Sequence, residues 1–537
     1  MSAPIFRFNE QREDLVQSVV DRVVAETTNP ALALNDAAYH EIRRLEQTRG
    51  HEREQIARWR RIARQIGTAD ANVMRALLRE TALFHARDVA GNFDANVYLL
   101  ASRVAPAALS VFMSPQVVGK HSMLEILRGE ALSERINTSG HAKRIAKLAE
   151  KGTIVYVPTH LSNLDSPVFA YALMSAKLPP VTYGAGKNLF TNPVLSFFMR
   201  NLGAYRVDRR LRHELYKNIL KSYSCALIER GFHSLFFPGG TRSRSGGVER
   251  RLKLGLAGTG LEAFVRTTIA SHPRKVYFVP ATINYMLTLE AETLIDDHLK
   301  EAGKARYIIE DDESTRLDRI GVLVRKLLQM EESCAVRFGP PLDPFGNEVD
   351  DEGDSYDARG RKVDATSYVR AIGHGDHAGA VTLDHARDAQ YTRELGDVIV
   401  KHFKRDTIAL PTHVVATAAF EQIRAANPGA DLFQLVRRRD ETIVPESALL
   451  EAIGRVQARL ADLERAEEIV LSSAVRGATS SELLHDAERA WNGYHTSPVV
   501  QRRDGGIALS DPKVLLYYQN RLVSHGLAWS GGTSARG

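Results

Sequence analysis

The run Thr159-His160-Leu161-Ser162-Asn163-Leu164-Asp165 places a histidine and an aspartate with four residues between them, directly after the strand-like TIVYVP. The two side chains of such a pair can meet where a strand turns into a helix. The chemistry that suits them is removal of a proton from a hydroxyl near neutral pH. A neutral imidazole takes the proton, and the carboxylate sets its tautomer and stabilises the imidazolium. If the electrophile arrives activated, as a thioester does, no enzyme nucleophile is needed, and the chain offers none in a G-x-S-x-G setting. Taken alone, the pair reads more readily as a helix-capping aspartate beside a core histidine.

Two further strand-like runs end in arginines. GAYRVDRR (203–210) carries Arg206 and Arg209, and FFPGGTRSRSG (236–246) carries Gly239, Gly240, Thr241, Arg242, Ser243 and Arg244. Guanidinium groups pair bidentately with phosphate oxygens, and backbone N–H groups in a glycine-rich turn form a concavity for an anion. Each arginine-rich run alone is a solvated face and each glycine pair a turn. Two of them, each closing a predicted strand as the histidine run does, favour one shared site. A fourth run, VPATINY (279–285) with Pro280 near its start, reads by itself as core.

In this order the four runs resemble the four motif blocks of the glycerolipid acyltransferases, and the long glycerol-3-phosphate acyltransferase branch in particular. The resemblance implies that His160 and Asp165 are the catalytic pair, with Ser162 where this branch carries serine. It puts Arg209 on the phosphate-binding arginine, with Arg206 in the same block, and Arg242 and Ser243 on substrate-contacting positions within the 239–244 turn. Pro280 falls in the block associated with acyl-chain or acceptor packing, and Lys187 in GAGKNLFTNP resembles the stretch between the first two blocks. Segments 410–420 and 514–525 look like the long branch, so the similarity spans roughly 97–525. One departure is Gly239, where the third block usually has an acidic residue, which bears on the identity of the acceptor.

What the resemblance implies is transfer of a fatty acyl group from acyl-CoA or acyl-carrier protein to glycerol 3-phosphate. The product would be lysophosphatidate for phospholipid synthesis, formed without an acyl-enzyme. Dihydroxyacetone phosphate and lysophosphatidate are the alternative acceptors. No metal or prosthetic group is implied, and the acyl carrier is a cosubstrate. From a different class, an inactive protein could use the arginines to hold anionic lipid, but the presence of both His160 and Asp165 weighs against it. A phosphoryl-transfer enzyme is disfavoured, because no P-loop lysine and no paired metal carboxylates accompany the loops.

The elements that must position these residues follow from the texture of the chain. Short β-rich runs (TIVYVPTH, VTYGAG, GAYRVDR, SLFFPGG, KVYFVPATINY and CAVRFGPPL) alternate with helical stretches, which predicts an α/β domain with a mixed sheet flanked by helices. That domain is assigned to 96–345, after a helical N-terminal region (1–95). A surface loop (346–365) and a helical C-terminal region (366–530) follow, with helices expected over 415–424, 447–473 and 513–525 and a disordered end. GLAGTGLEA (255–263) follows a basic polar loop instead of a buried strand and is rejected as a dinucleotide site. His374, His377 and His385 lack a zinc spacing and are read as loop histidines.

Composition limits the remaining possibilities. The 537 residues are 44% hydrophobic and 25% charged with a net charge of +6, too mild a balance to imply nucleic acid. Two distant cysteines in apolar runs, Cys225 and Cys334, argue against a disulfide framework or a zinc cluster and point to a reducing, cytoplasmic setting. No apolar leader is visible, and the apolar stretch 97–113 is interrupted by Arg103 and Pro106. The expectation is peripheral association with the inner face of a membrane, docking through 97–113 or 189–199.

Overall fold

The computed structural model describes residues 3–47, 53–101, 136–190, 193–371, except 303–333, and 379–529, except 439 and 493. Its centre is a seven-stranded mixed sheet. In chain order the strands are β1 (Ile136–Gly140), β2 (Gly152–Pro158), β3 (Thr182–Gly186), β4 (Ala204–Val207), β5 (Ser234–Leu235), β6 (Lys275–Tyr285) and β7 (Cys334–Phe338), and in space they run β1-β7-β6-β2-β5-β3-β4. Strands β6, β2, β5, β3 and β4 are parallel, while β7 is antiparallel to β6 and carries β1 parallel to itself.

The centre of the sheet follows from composition. Every residue of β2 is buried, as is all of β6 after Lys275, which is how a parallel strand covered on both faces reads. The helix Asp165–Ser175 covers one face through Phe169, whose ring packs 5.6 Å from that of Tyr156 and 5.6 Å from that of Phe338. The helix Ala257–Ile269 covers the other, and here the glycine-rich 255–263 run finds its role. A Cβ on Gly260 would lie 2.4 Å from Phe278, so only glycine lets this helix approach β6.

All six strand runs expected from the sequence are present. The sheet adds β1, whose INTSG lacks alternation and is only partly buried at the sheet edge. The 346–364 segment is more than a loop, since residues 348–349, 355–356 and 362–363 form a small antiparallel sheet. The C-terminal region is not purely helical either. Besides the helices Pro411–Ala425, Glu446–Arg465 and Pro512–Gln519, it contains the helices His385–Arg405 and Ser480–Trp491 and short strands paired over 442–444, 500–503 and 506–509. His385 opens a helix, while His374 and His377 lie outside the described residues.

Neither flanking region stands apart from the sheet. Helices α1 (Phe8–Glu26), α2 (Pro30–Gln47), α3 (Arg53–Ile66) and α4 (Ala71–Val89) share one apolar core with Tyr205, Tyr216, Tyr223 and Phe232. The C-terminal helices share another with Leu287, Leu289 and Ile295, just after β6.

The N-terminal junction buries two histidines, His85 and His213, with ring centroids 5.2 Å apart beside Trp59, and neither Nε2 has a partner among the described residues. Burial pulls their pKa values down to about 3 for His85 and about 4 for His213. The unfolded chain therefore takes up protons that the native state refuses. The stability contributed by neutral histidine is complete above the unfolded value near pH 6.5 and is lost as the pH falls toward the folded values. At pH 5 the cost is about 2 kcal/mol per histidine. We expect His85→Phe to shrink the loss of unfolding free energy between pH 7 and pH 5 by about that amount, measured by urea denaturation at both values.

Candidate active site

The motif residues converge because the parallel strands end on one edge. The ladder between β2 and β6 closes at Thr159, whose N–H donates to the Ala281 carbonyl and whose hydroxyl accepts from Ile283 N–H. The next residue, His160, is released at the carboxyl edge, where open α/β sheets bind their ligands. Lys187 follows β3 there, Arg209 follows β4, the 239–244 turn follows β5, and Glu290 follows β6.

Asp165 is the first residue of its helix and is fully buried. Its Oδ2 accepts from His160 Nδ1 at 2.7 Å, from Leu161 N–H at 2.6 Å and from Ser162 N–H at 3.0 Å, while Oδ1 accepts from the Tyr285 hydroxyl at 2.8 Å. Because a carboxylate only accepts, the imidazole proton sits on Nδ1, which leaves Nε2 with its lone pair and no partner among the described residues. The ring stacks on Phe237, centroid to centroid 4.2 Å, and keeps 15% of its surface exposed. The next loop clamps the His160 main chain: its N–H donates to Glu249 at 2.8 Å, and its carbonyl accepts from Ser243 N–H at 2.7 Å.

A second buried carboxylate lies beside the first. Glu290 accepts from the Ser162 hydroxyl at 2.8 Å and Asn163 N–H at 3.1 Å, and Arg242 lies 3.1 Å from it. Burial, first of all, pushes its carboxyl above the usual range, and Arg242 opposes the rise. Ser162 is therefore buried, with its hydroxyl committed to Glu290, and holds the loop instead of facing a substrate.

The cations divide into two groups. Arg209 makes no hydrogen bond or ion pair among the described residues, and partial burial, followed by repulsion from Arg242, lowers its pKa from the ordinary arginine value. This pair, with Lys253, whose Nζ lies 2.9 Å from where a Cβ on Gly240 would stand, forms a positive rim. Gly240 itself has φ 69°, a left-handed conformation that suits glycine. Lys187 and Arg206 are instead drawn to Asp88 of α4, each at 3.2 Å. Arg244 pairs with Glu301 at 2.8 Å, Ser243 donates to Gly247, and Thr241 is exposed. Pro280 is not brought to this group, because it lies within β6 and packs against Gly339.

Beside the His160 turn opens an apolar cavity of about 350 Å³, lined among others by Leu164, Phe169, Leu173, Phe198, Met199 and Leu289. Tyr98 also lines it, and Leu99 and Leu100, which follow Tyr98, and Phe197, which precedes Phe198, are exposed. Among the described residues no cluster of three or more possible metal ligands occurs. Both cysteines are buried, which pushes their thiols well up.

Sequence reasoning missed Glu290, Glu249, Lys253, Asp88 and Arg521. None stands within a recognisable spacing of the histidine: Glu249 and Lys253 lie farther along the loop that follows β5, and Asp88, Glu290 and Arg521 lie on other parts of the fold. The buried Glu290 gives a direct test. Glu290→Ala removes one acceptor shared by Ser162, Asn163 and Arg242, so we expect a loss of about 3–5 kcal/mol in urea unfolding, and a smaller loss for Glu290→Gln, which keeps an acceptor oxygen.

Comparison with known proteins gives the constellation a context. Residues 137–284 match the Acyltransferase family model. Over 203 residues the chain is 31% identical to glycerol-3-phosphate acyltransferase of Pseudomonas paraeruginosa, covering 38% of this chain and 22% of that protein. Over 283 residues it is 28% identical to glycerol-3-phosphate acyltransferase of Pseudomonas fluorescens SBW25, covering 52% and 30% respectively. The chain thus spans less than a third of the length of either relative. A 1-acyl-sn-glycerophosphate acyltransferase of Thermotoga maritima overlaps 46% of this chain and 81% of that chain at 15% identity, with a TM-score of 0.23 that is too low to carry an argument. The family model spans the strands that lead to His160, Arg209 and Arg242, and over this region the chain is similar to the Acyltransferase family and to the glycerol-3-phosphate acyltransferases.

Proposed function

We propose that this chain transfers a fatty acyl group from an acyl-CoA or acyl-carrier-protein thioester to the hydroxyl of glycerol 3-phosphate, giving lysophosphatidate and the free thiol. The observation that carries this reading is the His160 turn: the imidazole is bonded to Asp165 with Nε2 unpartnered among the described residues, Asn163 and Leu164 of the same turn line an apolar cavity, and the loop that carries Arg242 bonds the His160 carbonyl through Ser243 N–H. The cavity suits an acyl chain, and its volume lies within the range of small-ligand pockets. Arg209, Arg242 and Lys253 suit the phosphate of the acceptor.

In the mechanism, Nε2 takes the proton of the acceptor hydroxyl as its oxygen attacks the thioester carbonyl. Asp165 holds the resulting imidazolium through Nδ1–H. The tetrahedral intermediate collapses with cleavage of the carbon–sulfur bond, and the imidazolium returns the proton to the departing sulfur. Atoms balance without an acyl-enzyme, consistent with the burial of both cysteines. The exposed Leu99, Leu100 and Phe197 beside the cavity support docking on a lipid surface, from which the acyl chain can pass without crossing water. No described helix is long and apolar enough to cross a membrane.

The test is thiol release from palmitoyl-CoA by purified protein, with glycerol 3-phosphate, dihydroxyacetone phosphate and lysophosphatidate as parallel acceptors. Glycerol 3-phosphate should support the greatest kcat/KM, and His160→Ala should lower kcat roughly 10²- to 10⁴-fold at an unchanged Tm. No acceptor-dependent thiol release by wild-type protein would leave the alternative, an inactive protein that holds anionic lipid. In the same assay Arg209→Ala should raise the acceptor KM roughly tenfold to a hundredfold while leaving the donor KM in place, because the lost contact is a charge-assisted bond to phosphate. A raised donor KM with an unchanged acceptor KM would assign Arg209 to the other substrate.

A further inference from the structure

The loop that follows β5 returns to the histidine through Glu249. Its Oε1 accepts the His160 N–H at 2.8 Å, while Oε2 is buried with no partner among the described residues. Gly239 lies opposite. A Cβ built on it would stand 3.6 Å from both Cγ and Oε1 of Glu249, and 3.0 Å from the Thr241 carbonyl. Unlike Gly240, Gly239 has no positive φ, so its backbone does not require glycine. The space that a side chain at 239 would enter is filled by the Glu249 carboxylate.

Arg521 lies behind this carboxylate. It is fully buried, its Nε and Nη2 hold Asn284 Oδ1, Nη2 also donates to the Ile283 carbonyl, and Nη1 has no partner among the described residues. Burial raises the Glu249 pKa, and the His160 N–H bond and then the Arg521 charge oppose the rise. The carboxylate thus bonds the main chain of the histidine within range of the charge of an arginine fastened to β6.

We propose that Glu249 is a positioning residue, supplying from later in the same loop the acidic side chain that the resemblance puts at 239 and that Gly239 lacks. It holds the His160 main chain so that the imidazole bonded to Asp165 presents Nε2 to the acceptor. The inference rests on the reading of His160 as the base.

The experiment compares wild type, Glu249→Ala, Glu249→Gln and the double variant Gly239→Glu/Glu249→Ala. Kinetics use palmitoyl-CoA and glycerol 3-phosphate, and the His160 backbone amide is followed by ¹H–¹⁵N correlation in the free protein. Glu249→Ala should lower kcat roughly tenfold to a hundredfold with both KM values unchanged, since a misplaced base costs turnover and not binding. Its His160 amide proton should move upfield as the hydrogen bond is lost. Glu249→Gln keeps an acceptor oxygen and should stay within a few-fold of wild type. In the double variant, a glutamate at 239 can reach the vacated position and should restore most of kcat and the amide resonance.

A folded Glu249→Ala protein with wild-type kcat, or with its His160 amide unmoved, overturns the positioning role. A folded double variant that stays at the Glu249→Ala values overturns the exchange between positions 239 and 249. If wild type releases no thiol, the proposed function falls instead, and the amide resonance still decides whether Glu249 holds His160.

Discussion

One carboxylate organises this edge of the sheet. Asp165 accepts four hydrogen bonds, from the imidazole, from two backbone N–H groups of its own turn and from the Tyr285 hydroxyl at the end of β6. A fully buried anion is tolerable only when its acceptor sites are occupied and a favourable field surrounds it. Here the turn itself supplies the donors, and the start of a helix adds the field of its first N–H groups. The arrangement that makes the charge affordable also sets the tautomer of His160. The bond to Tyr285 ties the turn to a strand buried along almost its whole length, so the imidazole is held about as firmly as the sheet.

Two further buried carboxylates extend the same logic. Glu290 draws together Ser162, Asn163 and Arg242, and Glu249 holds the His160 N–H. Each is a carboxyl group placed beneath a loop that carries arginine or lysine. Arg242 is partly neutralised from below by Glu290, whereas Arg209 is not paired among the described residues. The rim thus keeps its positive field although the net charge of the chain is only +6.

The flanking regions take part in the site's construction. Asp88 reaches Lys187 and Arg206 from the N-terminal helices, and Arg521 reaches Asn284 and the Ile283 carbonyl from the C-terminal ones. Each region shares an apolar core with the sheet, so burial and ion pairing fasten the same junctions. The cost is a set of buried neutral histidines, His85 and His213 among them, whose protonation opposes folding.

The sequence alone determined the strands that end at the site, because an all-buried parallel strand requires a continuous run of β-branched and aromatic residues, and TIVYVP and KVYFVPATINY are such runs. It also determined the pairing of His160 with Asp165, since a strand-to-helix turn of that length brings the two together through local geometry. Edge strand β1 and the short strands of the C-terminal region were not legible. Runs of two to five residues without alternation take β form only when a partner strand supplies their hydrogen bonds. Ser162 shows the same limit within a motif, for its position was legible, but its burial beneath Glu290 depends on a residue 128 positions away. Asp88, Glu249, Glu290, Lys253 and Arg521 carry no spacing signal, because what they contribute is charge and hydrogen bonding across separate elements. Those interactions exist only after hydrophobic burial has packed the elements together, and so only the tertiary structure decided which charges face the histidine and which are spent on one another.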